Sequence, residues 1–174
     1  TPTAIMVAVG KGAENGILIK DAESLELAKH VNALILDKTG TITAGKPEVQ
    51  AILWLDGDDT TKDILRNLEK QSEHPLADAV VNFLRSDTNI TLTLFESITG
   101  KGAKATHNEE TYFVGNKKLL IENNILIADQ LSQAAAAWSR QSHTVIWFAN
   151  SSKALSVLSI ADQLKDTSLV AIQE

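Results

Sequence analysis

Cysteine is absent from this 174-residue sequence, which excludes disulfide bonds and any metal site built on thiolates. The four histidines, His30, His74, His107 and His143, are scattered along the chain. No two of them stand at the spacing of a metal-ligand pair. The sequence therefore gives no sign of a structural metal centre.

Long hydrophobic runs and clusters of positive charge are also missing. No stretch of about 18 uninterrupted apolar residues occurs, so no segment is expected to span a bilayer, and no signal peptide is recognisable. The net charge of −6 and the lack of a Lys/Arg run argue against nucleic acid or an anionic membrane surface as a partner. With 44% hydrophobic and 22% charged residues, the composition is that of a globular protein with a sizeable core.

An aspartate at the end of an apolar run is the most informative feature that the sequence does contain. Residues Ala33-Leu34-Ile35-Leu36 are typical of a short buried strand, and the heptapeptide Asp37-Lys38-Thr39-Gly40-Thr41-Ile42-Thr43 follows directly. α/β proteins place reactive groups where such strands end. A carboxylate there can act as a nucleophile that divides a phosphoryl transfer into two easier steps. The alternative is an aspartate that only caps a turn.

Residues 48–158 have the pattern of an antiparallel sheet with helices packed against it. We expect strands at 49–55, 91–98, 103–107, 111–114, 144–149 and 154–160. Helices are expected at 60–70, from Pro75 through Phe83 with Ser72 as the cap, at 116–122 and at 129–140. The flanks, 1–47 and 159–174, are predicted to be pieces of a second domain that this region interrupts. They contain a predicted helix at 21–30, capped by Asp21, and short strands at 17–19 and 33–36.

A second motif is Ser72-Glu73-His74-Pro75-Leu76, with Glu69 five residues before the histidine. An imidazole can stack on or hydrogen-bond to an adenine, and a carboxylate can accept a hydrogen bond from the exocyclic amine. The alternative interpretation is a solvated helix N-terminus, in which serine caps the helix and proline occupies its first turn.

Two glycine-containing segments also indicate a ligand site. In Gly100-Lys101-Gly102 the glycines allow a backbone to approach a ligand and to offer N–H donors to phosphate, although an ordinary turn between strands explains them equally. The pair Gly115-Asn116 is, alone, a strand-to-helix cap. A dinucleotide-binding fold is rejected because a hairpin, not a helix, follows the glycines.

Taken together, these motifs resemble those of heavy-metal (P1B-type) P-type ATPases, ion pumps that pass through an aspartyl phosphate. The resemblance implies a nucleotide-binding domain inserted into a haloacid dehalogenase-like α/β phosphorylation domain. It makes Asp37 the phosphorylated nucleophile, with Lys38 and Thr39 beside it, and ATP and Mg²⁺ the cofactors, with Asp37 and Thr39 as part of the Mg²⁺ site. The implied nucleotide-binding residues are Glu69, Glu73, His74, Gly100, Gly102, Gly115 and Asn116.

The resemblance also implies a place in the cell and a cargo. The segment from Gly10 to Leu18 is similar to copper and silver exporters, so Cu⁺ or Ag⁺ would cross through membrane helices outside this sequence. The chain would then be a cytoplasmic domain of an integral membrane protein. Because it opens without an initiator methionine, we expect an excised piece: 1–47 as a membrane-helix end and the first part of the phosphorylation domain, 48–158 as the nucleotide-binding domain, and 159–174 as the start of the second part.

Departures from the family limit the chemistry that the chain can perform. The family's later TGD and GDGxND elements do not occur, so the phosphorylation domain and its Mg²⁺ site are expected to be incomplete. Related soluble phosphatases carry a general acid/base aspartate at the position of Thr39, and its absence favours a long-lived phosphoenzyme. Asp162 and Lys165 resemble the family's D-x-x-K element, or form a surface turn. The alternatives are a soluble phosphatase of the haloacid dehalogenase superfamily and a nucleotide-binding module without catalysis.

Overall fold

The computed structural model of the protein describes residues 2–55, 57–86 and 88–173, without the side chains of Pro2, Thr39 and Gln173. It divides into a first unit that ends at Asp37 and a second unit that begins at Lys38. Among the described residues, no helix is long and apolar enough to cross a bilayer.

The first unit contains two helices, α1 (Pro2–Glu14) and α2 (Ala22–Ala28). The side chain of Asp21 accepts a hydrogen bond from the backbone N of Ser24 at 2.7 Å, so the predicted cap of α2 is confirmed. α1 continues through Gly10 and Gly12, although glycine is among the weakest helix formers. A glycine inside a helix costs only about 1 kcal/mol relative to alanine, which neighbouring residues can offset.

The predicted strands at 17–19 and 33–36 are wrong. Residues 31–37 have no regular structure, and Leu34 and Ile35 are 73% and 97% exposed. A strand is stable only when a neighbour completes its hydrogen bonds and covers its apolar face, and the described residues of this unit contain no such neighbour. Asp37 therefore ends an exposed, irregular segment rather than a buried strand.

The second unit is built on an antiparallel sheet, as the hairpin signals predicted. In its described part, six strands form the order β1-β6-β5-β4-β3-β2, and every neighbouring pair is antiparallel. They are β1 (Thr43–Trp54), β2 (Thr93–Ile98), β3 (Gly102–His107), β4 (Glu110–Gly115), β5 (Thr144–Asn150) and β6 (Ala154–Leu164). β1 begins six residues earlier than predicted, because β6 extends far enough to pair Leu164 with Thr43.

Helices cover both faces of this sheet. One turn of π-helix, Lys38–Ile42, precedes β1, and the α-helices are α3 (Asp59–Glu69), α4 (Pro75–Phe83), α5 (Lys117–Glu122), α6 (Asp129–Arg140) and α7 (Asp166–Gln173).

The cap of α4 is His74 and not Ser72 as predicted. The Nδ1 atom of His74 accepts from the backbone N of Leu76 at 3.2 Å, whereas Ser72 lies two residues too early and accepts from the backbone N of His74.

The core consists of two apolar layers separated by the central strands. On β5, Ile146 and Phe148 pack in the layer that contains residues of α3 and α4, and Trp147 and Ala149 pack in the layer of α5 and α6. Side chains alternate between the faces of a strand, so a strand with both faces covered is apolar throughout. This core holds the ends of α3, α4 and the strands in fixed positions, and a cleft opens between them.

Candidate functional site

A cleft of about 530 Å³ lies in the second unit, between four separate segments of the chain. Its walls are the link from α3 to α4, the turn between β2 and β3, the junction of β4 and α5, and the start of β5. All seven residues that the motifs assigned to nucleotide binding lie in these walls: Glu69, Glu73, His74, Gly100, Gly102, Gly115 and Asn116. Thr144, Val145 and Ile146 also line the cleft, and no motif signalled them.

Glu69 supplies a buried carboxyl group to this cleft. It is the last residue of α3 and is only 5% exposed. In the described part of the chain, its carboxyl group has neither a hydrogen-bond partner nor an ion-pair partner. Burial raises its pKa to about 7, because the charged form loses its water. Near neutral pH the group can therefore both accept a hydrogen bond and, when protonated, donate one.

His74 presents one ring nitrogen to the cleft. Its Nδ1 atom is occupied by the N–H of Leu76, so this nitrogen is unprotonated and the ring carries its hydrogen on Nε2 in the neutral form. The side chain thus serves two purposes, since it caps α4 and leaves Nε2 and the ring face available to a ligand. The sequence pattern predicted the ligand contact but not the cap.

Gly102 and Gly115 leave one wall of the cleft as bare backbone. The two residues pair directly between β3 and β4. A Cβ atom on Gly102 would collide with the carbonyl oxygen of Val114 and lie 2.6 Å from the Cα of Gly115. A Cβ atom on Gly115 would collide with the carbonyl oxygen of Lys101 and lie 2.8 Å from the Cα of Gly102. Only glycine fits at either position, for a reason that the sequence motif does not reveal.

Asn116 fixes the turn that carries Gly100. Its Nδ2 donates to the carbonyl oxygen of Gly100 at 2.9 Å, and its Oδ1 accepts from the backbone N of Leu119 at 3.1 Å. The side chain that the motif assigned to the ligand is therefore used within the protein and positions the wall of the cleft. Lys101, in the same turn, forms an ion pair with Glu122, and its hydrogen bond holds the pKa of that carboxyl below its usual value.

The residues around the predicted nucleophile lie elsewhere in the chain. Asp37 is the last residue of the first unit, and Lys38 opens the π-helical turn of the second. The side chain of Thr39 lies outside the described residues. Among the described residues, no group of three or more Asp, Glu, His or Cys side chains could hold a metal ion. Asp37 alone does not supply the octahedral oxygen shell that Mg²⁺ requires.

A cluster of hydrogen bonds ties the start of β1 to the end of β6. Asp162 accepts from the hydroxyl of the fully buried Thr43 and from the backbone N–H groups of Gly45, at 3.0 Å, and Lys46, at 2.9 Å. These bonds, that from Thr43 first, hold the pKa of Asp162 below its usual value. The surface-turn interpretation of Asp162 is therefore wrong.

Lys165 extends this cluster to the turn that follows the nucleophile motif. Its Nζ atom donates to the carbonyl oxygen of Gly40 at 2.7 Å. The hydroxyl oxygen of Thr43, whose hydrogen goes to Asp162, also lies 3.1 Å from the carbonyl oxygen of Lys38. The D-x-x-K spacing identified Asp162 on β6 and Lys165 just after it. No sequence pattern linked them to Thr43, which is 119 residues away from Asp162 in sequence.

The burial that raises the pKa of Glu69 should measurably lower the stability of the folded chain at high pH. Between its ordinary value of 4.5 and about 7, the folded state binds more protons at Glu69 than the unfolded state does, so this group lowers stability as the pH rises. We expect Glu69→Gln to raise the free energy of unfolding by roughly 3 kcal/mol at pH 8, and by much less at pH 4. Urea unfolding of both proteins across this range measures the difference.

Glu73→Gln is the matched control for that comparison, because it removes an exposed carboxyl from the same cleft. Its effect should stay within about 0.5 kcal/mol at every pH, as for most surface substitutions. If the stability difference between Glu69→Gln and the unmodified chain stayed constant from pH 4 to pH 8, the raised pKa of Glu69 would be contradicted.

Comparison with known proteins places this geometry in a family. The sequence model of the haloacid dehalogenase-like hydrolases matches residues 31–174. Over its whole length the chain is 38% identical to a copper-exporting P-type ATPase of Staphylococcus aureus and 39% identical to one of Staphylococcus epidermidis. It spans 22% of the length of each of these relatives.

A solved structure shows the same relationship in three dimensions. A zinc-transporting PIB-type ATPase in its E2.Pi state superposes on 99% of this chain with a TM-score of 0.77 and 26% sequence identity, and the match covers 28% of that protein. The resemblance inferred from the motifs is thereby confirmed, and so is the predicted fold class. The chain belongs to the haloacid dehalogenase-like hydrolase family, and its relatives there are heavy-metal P-type ATPases.

Proposed function

We propose that the cleft binds the adenine nucleotide of a P-type ATPase. The observation that carries the proposal is the convergence of seven motif residues, from three of the four wall segments, on one cleft that contains an unpartnered buried carboxyl group. Ligand sites commonly combine such an apolar cleft with a few polar groups that fix the orientation of the ligand. ATP fits this donor and acceptor set, with its adenine toward Glu69 and His74.

Recognition of the adenine follows from the chemistry of these two side chains. The carboxyl group of Glu69 accepts from the exocyclic amine, and in its protonated form it also donates to the adjacent ring nitrogen. The imidazole of His74 stacks on the base or donates from Nε2. The bare backbone at Gly102 and Gly115 lets the nucleotide approach closely, and Asn116 keeps the Gly100 turn in place.

Phosphoryl transfer to Asp37 is the reaction that the nucleotide would serve. A carboxylate oxygen of Asp37 attacks the γ-phosphorus and forms a bond to it, while the bond from the γ-phosphorus to the β,γ-bridging oxygen breaks and its electron pair leaves with ADP. Lys38 places a positive charge near the incoming phosphate. Thr39 cannot act as a general base, so the aspartyl phosphate lasts long enough to be coupled to a conformational change.

In the parent protein this reaction would drive metal export. We propose that the chain is the nucleotide-binding and phosphorylation region, on the cytoplasmic side, of a membrane pump for Cu⁺ or Ag⁺. The copper-exporting relatives support the ion, and the cytoplasmic location follows from where ATP is found. The hydrogen bonds of Asp162 and Lys165 would connect the end of β6 to β1 and to the turn Lys38–Ile42, which follows Asp37 in sequence.

His74 offers a sharp test of nucleotide binding because its two roles can be separated. We expect His74→Ala to weaken ATP binding by about 1–3 kcal/mol, since it removes a stacking and hydrogen-bonding partner. It also removes the cap of α4. His74→Asn should weaken binding equally while it preserves the cap, because asparagine is a preferred N-cap residue. Isothermal titration with ATP, combined with thermal unfolding, measures both effects.

The two variants give distinct contrary results. If His74→Asn bound ATP as tightly as the unmodified chain, the ring would have no part in nucleotide recognition. If it lost both binding and stability, the effect of His74→Ala would reflect the helix cap alone. Either result would remove the assignment of His74 to the adenine.

A further inference from the structure

A second cleft, of about 710 Å³, lies on α3 and the C-terminal end of α4, and nothing in the proposed function uses it. It is lined by Arg66, Val81, Asn82, Arg85 and Ser86. Two of the three arginines of the sequence therefore line one cleft, and no carboxylate is among the described residues that line it with them.

One side-chain hydrogen-bond donor of Arg66 has no partner. Its Nε atom is buried and has no hydrogen-bond partner. In the described part of the chain, neither Arg66 nor Arg85 forms a side-chain hydrogen bond or an ion pair. A buried donor that folding leaves unpaired is costly, and native proteins almost always satisfy such groups. This arginine therefore lacks an acceptor.

The other polar groups of the cleft are also able to donate. The hydroxyl oxygen of Ser86 accepts from the backbone N of Thr88 at 3.1 Å, which leaves its hydrogen free to donate. The side-chain amide of Asn82, which is exposed, can donate as well. Two guanidinium groups, a hydroxyl and an amide that face one cleft match the oxygen atoms of a phosphate group, which arginine binds through paired N–H donors.

From this geometry we infer that Arg66 and Arg85 form a binding site for a phosphate-type oxyanion, separate from the nucleotide cleft. The residues of the two clefts do not overlap: Glu69, three positions after Arg66 on α3, lines the nucleotide cleft, and Arg66 lines this one. The ligand is either free phosphate or the phosphate of a lipid head group, since both present the same oxygen atoms to the arginines.

Nuclear magnetic resonance of the arginine side chains tests this directly on the 174-residue chain. Inorganic phosphate is titrated at constant ionic strength while the Nε–H signals are followed. We expect saturable shifts at Arg66 and Arg85, and about tenfold weaker binding in both Arg66→Gln and Arg85→Gln, because each variant removes charge-assisted hydrogen bonds. Arg140→Gln is the matched control, since the Nε of Arg140 donates to the carbonyl oxygen of Ala136 on α6, and it should bind as the unmodified chain does.

Sedimentation with phosphatidylglycerol vesicles distinguishes the two sources of phosphate. Binding that requires Arg66 and Arg85 identifies a lipid head group, and saturation by inorganic phosphate alone identifies a free anion; either result supports the site. The site would be overturned by two results together. One is a phosphate titration in which the shifts rise linearly with phosphate or in which all three variants bind with equal affinity, and the other is vesicle binding that does not depend on Arg66 and Arg85.

Discussion

Gly102→Ala is expected to destabilise the second unit by at least about 3 kcal/mol, the largest loss of stability that we anticipate from one added methyl group. The new Cβ would collide with the carbonyl oxygen of Val114 and lie 2.6 Å from the Cα of Gly115, both of which are backbone atoms in a paired strand. Backbone at these positions cannot rotate away as a side chain can. The φ angle of +145° at Gly102 adds strain for any residue with a Cβ. Denaturant unfolding measures the loss.

Gly100→Ala is the control that separates this collision from the general cost of replacing a turn glycine. Gly100 has a φ of +69°, and a Cβ there would meet nothing within 4 Å. Its substitution should cost about 1–2 kcal/mol, the penalty of a left-handed conformation for a residue with a Cβ. Equal losses in the two variants would mean that the close approach of β3 and β4 does not determine stability at Gly102.

Asp37→Asn is expected to abolish phosphoenzyme formation in a full-length pump that contains this chain. The amide oxygen is a poor nucleophile, so no acyl phosphate can form at that position. After incubation with γ-labelled ATP, acid quenching should trap label in the unmodified pump and none in the variant. Binding of ATP to the cleft should be unaffected or slightly stronger, because one negative charge near the triphosphate is lost.

The 174-residue polypeptide provides the complementary experiment. Phosphoryl transfer requires in-line positioning and cations that neutralise the charge on the equatorial oxygens. These residues contain no TGD or GDGxND sequence, and their described part contains no cluster of three or more Asp, Glu, His or Cys side chains that could hold a metal ion. We therefore expect no labelled protein from this polypeptide. Label that appears in it and disappears in Asp37→Asn would contradict this expectation and would favour the soluble phosphatase among the alternatives.

The antiparallel sheet could be predicted from the sequence because its signals are local. The strands that became β2 to β6 alternate or are continuously apolar, and short polar turns separate several of them. The turn of the hairpin between β3 and β4 is Asn108-Glu109, and both residues have positive φ. The prediction of a strand at 33–36 was wrong because its signal is not local. An apolar run shows that a segment can be buried, but it does not show which neighbouring strand would pair with it and cover it.

The walls of the nucleotide cleft were predictable only where a motif carries chemistry. Glu69 and His74 stand out because a carboxyl and an imidazole group occur five residues apart, the first at the end of α3 and the second at the cap of α4. The N-cap role of Asn116 was predicted and is confirmed, but its bond to Gly100, the pairing of Gly102 with Gly115 and the bond of Asp162 to Thr43 could not be foreseen. These contacts join residues that are distant in sequence, or residues that face each other because of the register between two strands. The order of residues along the chain indicates neither.

We propose that ATP occupies the cleft between Glu69, His74 and the Gly100 turn. Backbone amide shifts recorded during an ATP titration of the uniformly labelled chain test it most directly. We expect saturable shifts confined to the walls of this cleft, at 69–77, 97–103, 114–116 and 144–146, and a weaker ATP affinity from the same signals in His74→Asn. Saturable shifts that map elsewhere on the sheet, or that persist unchanged in His74→Asn, would contradict it.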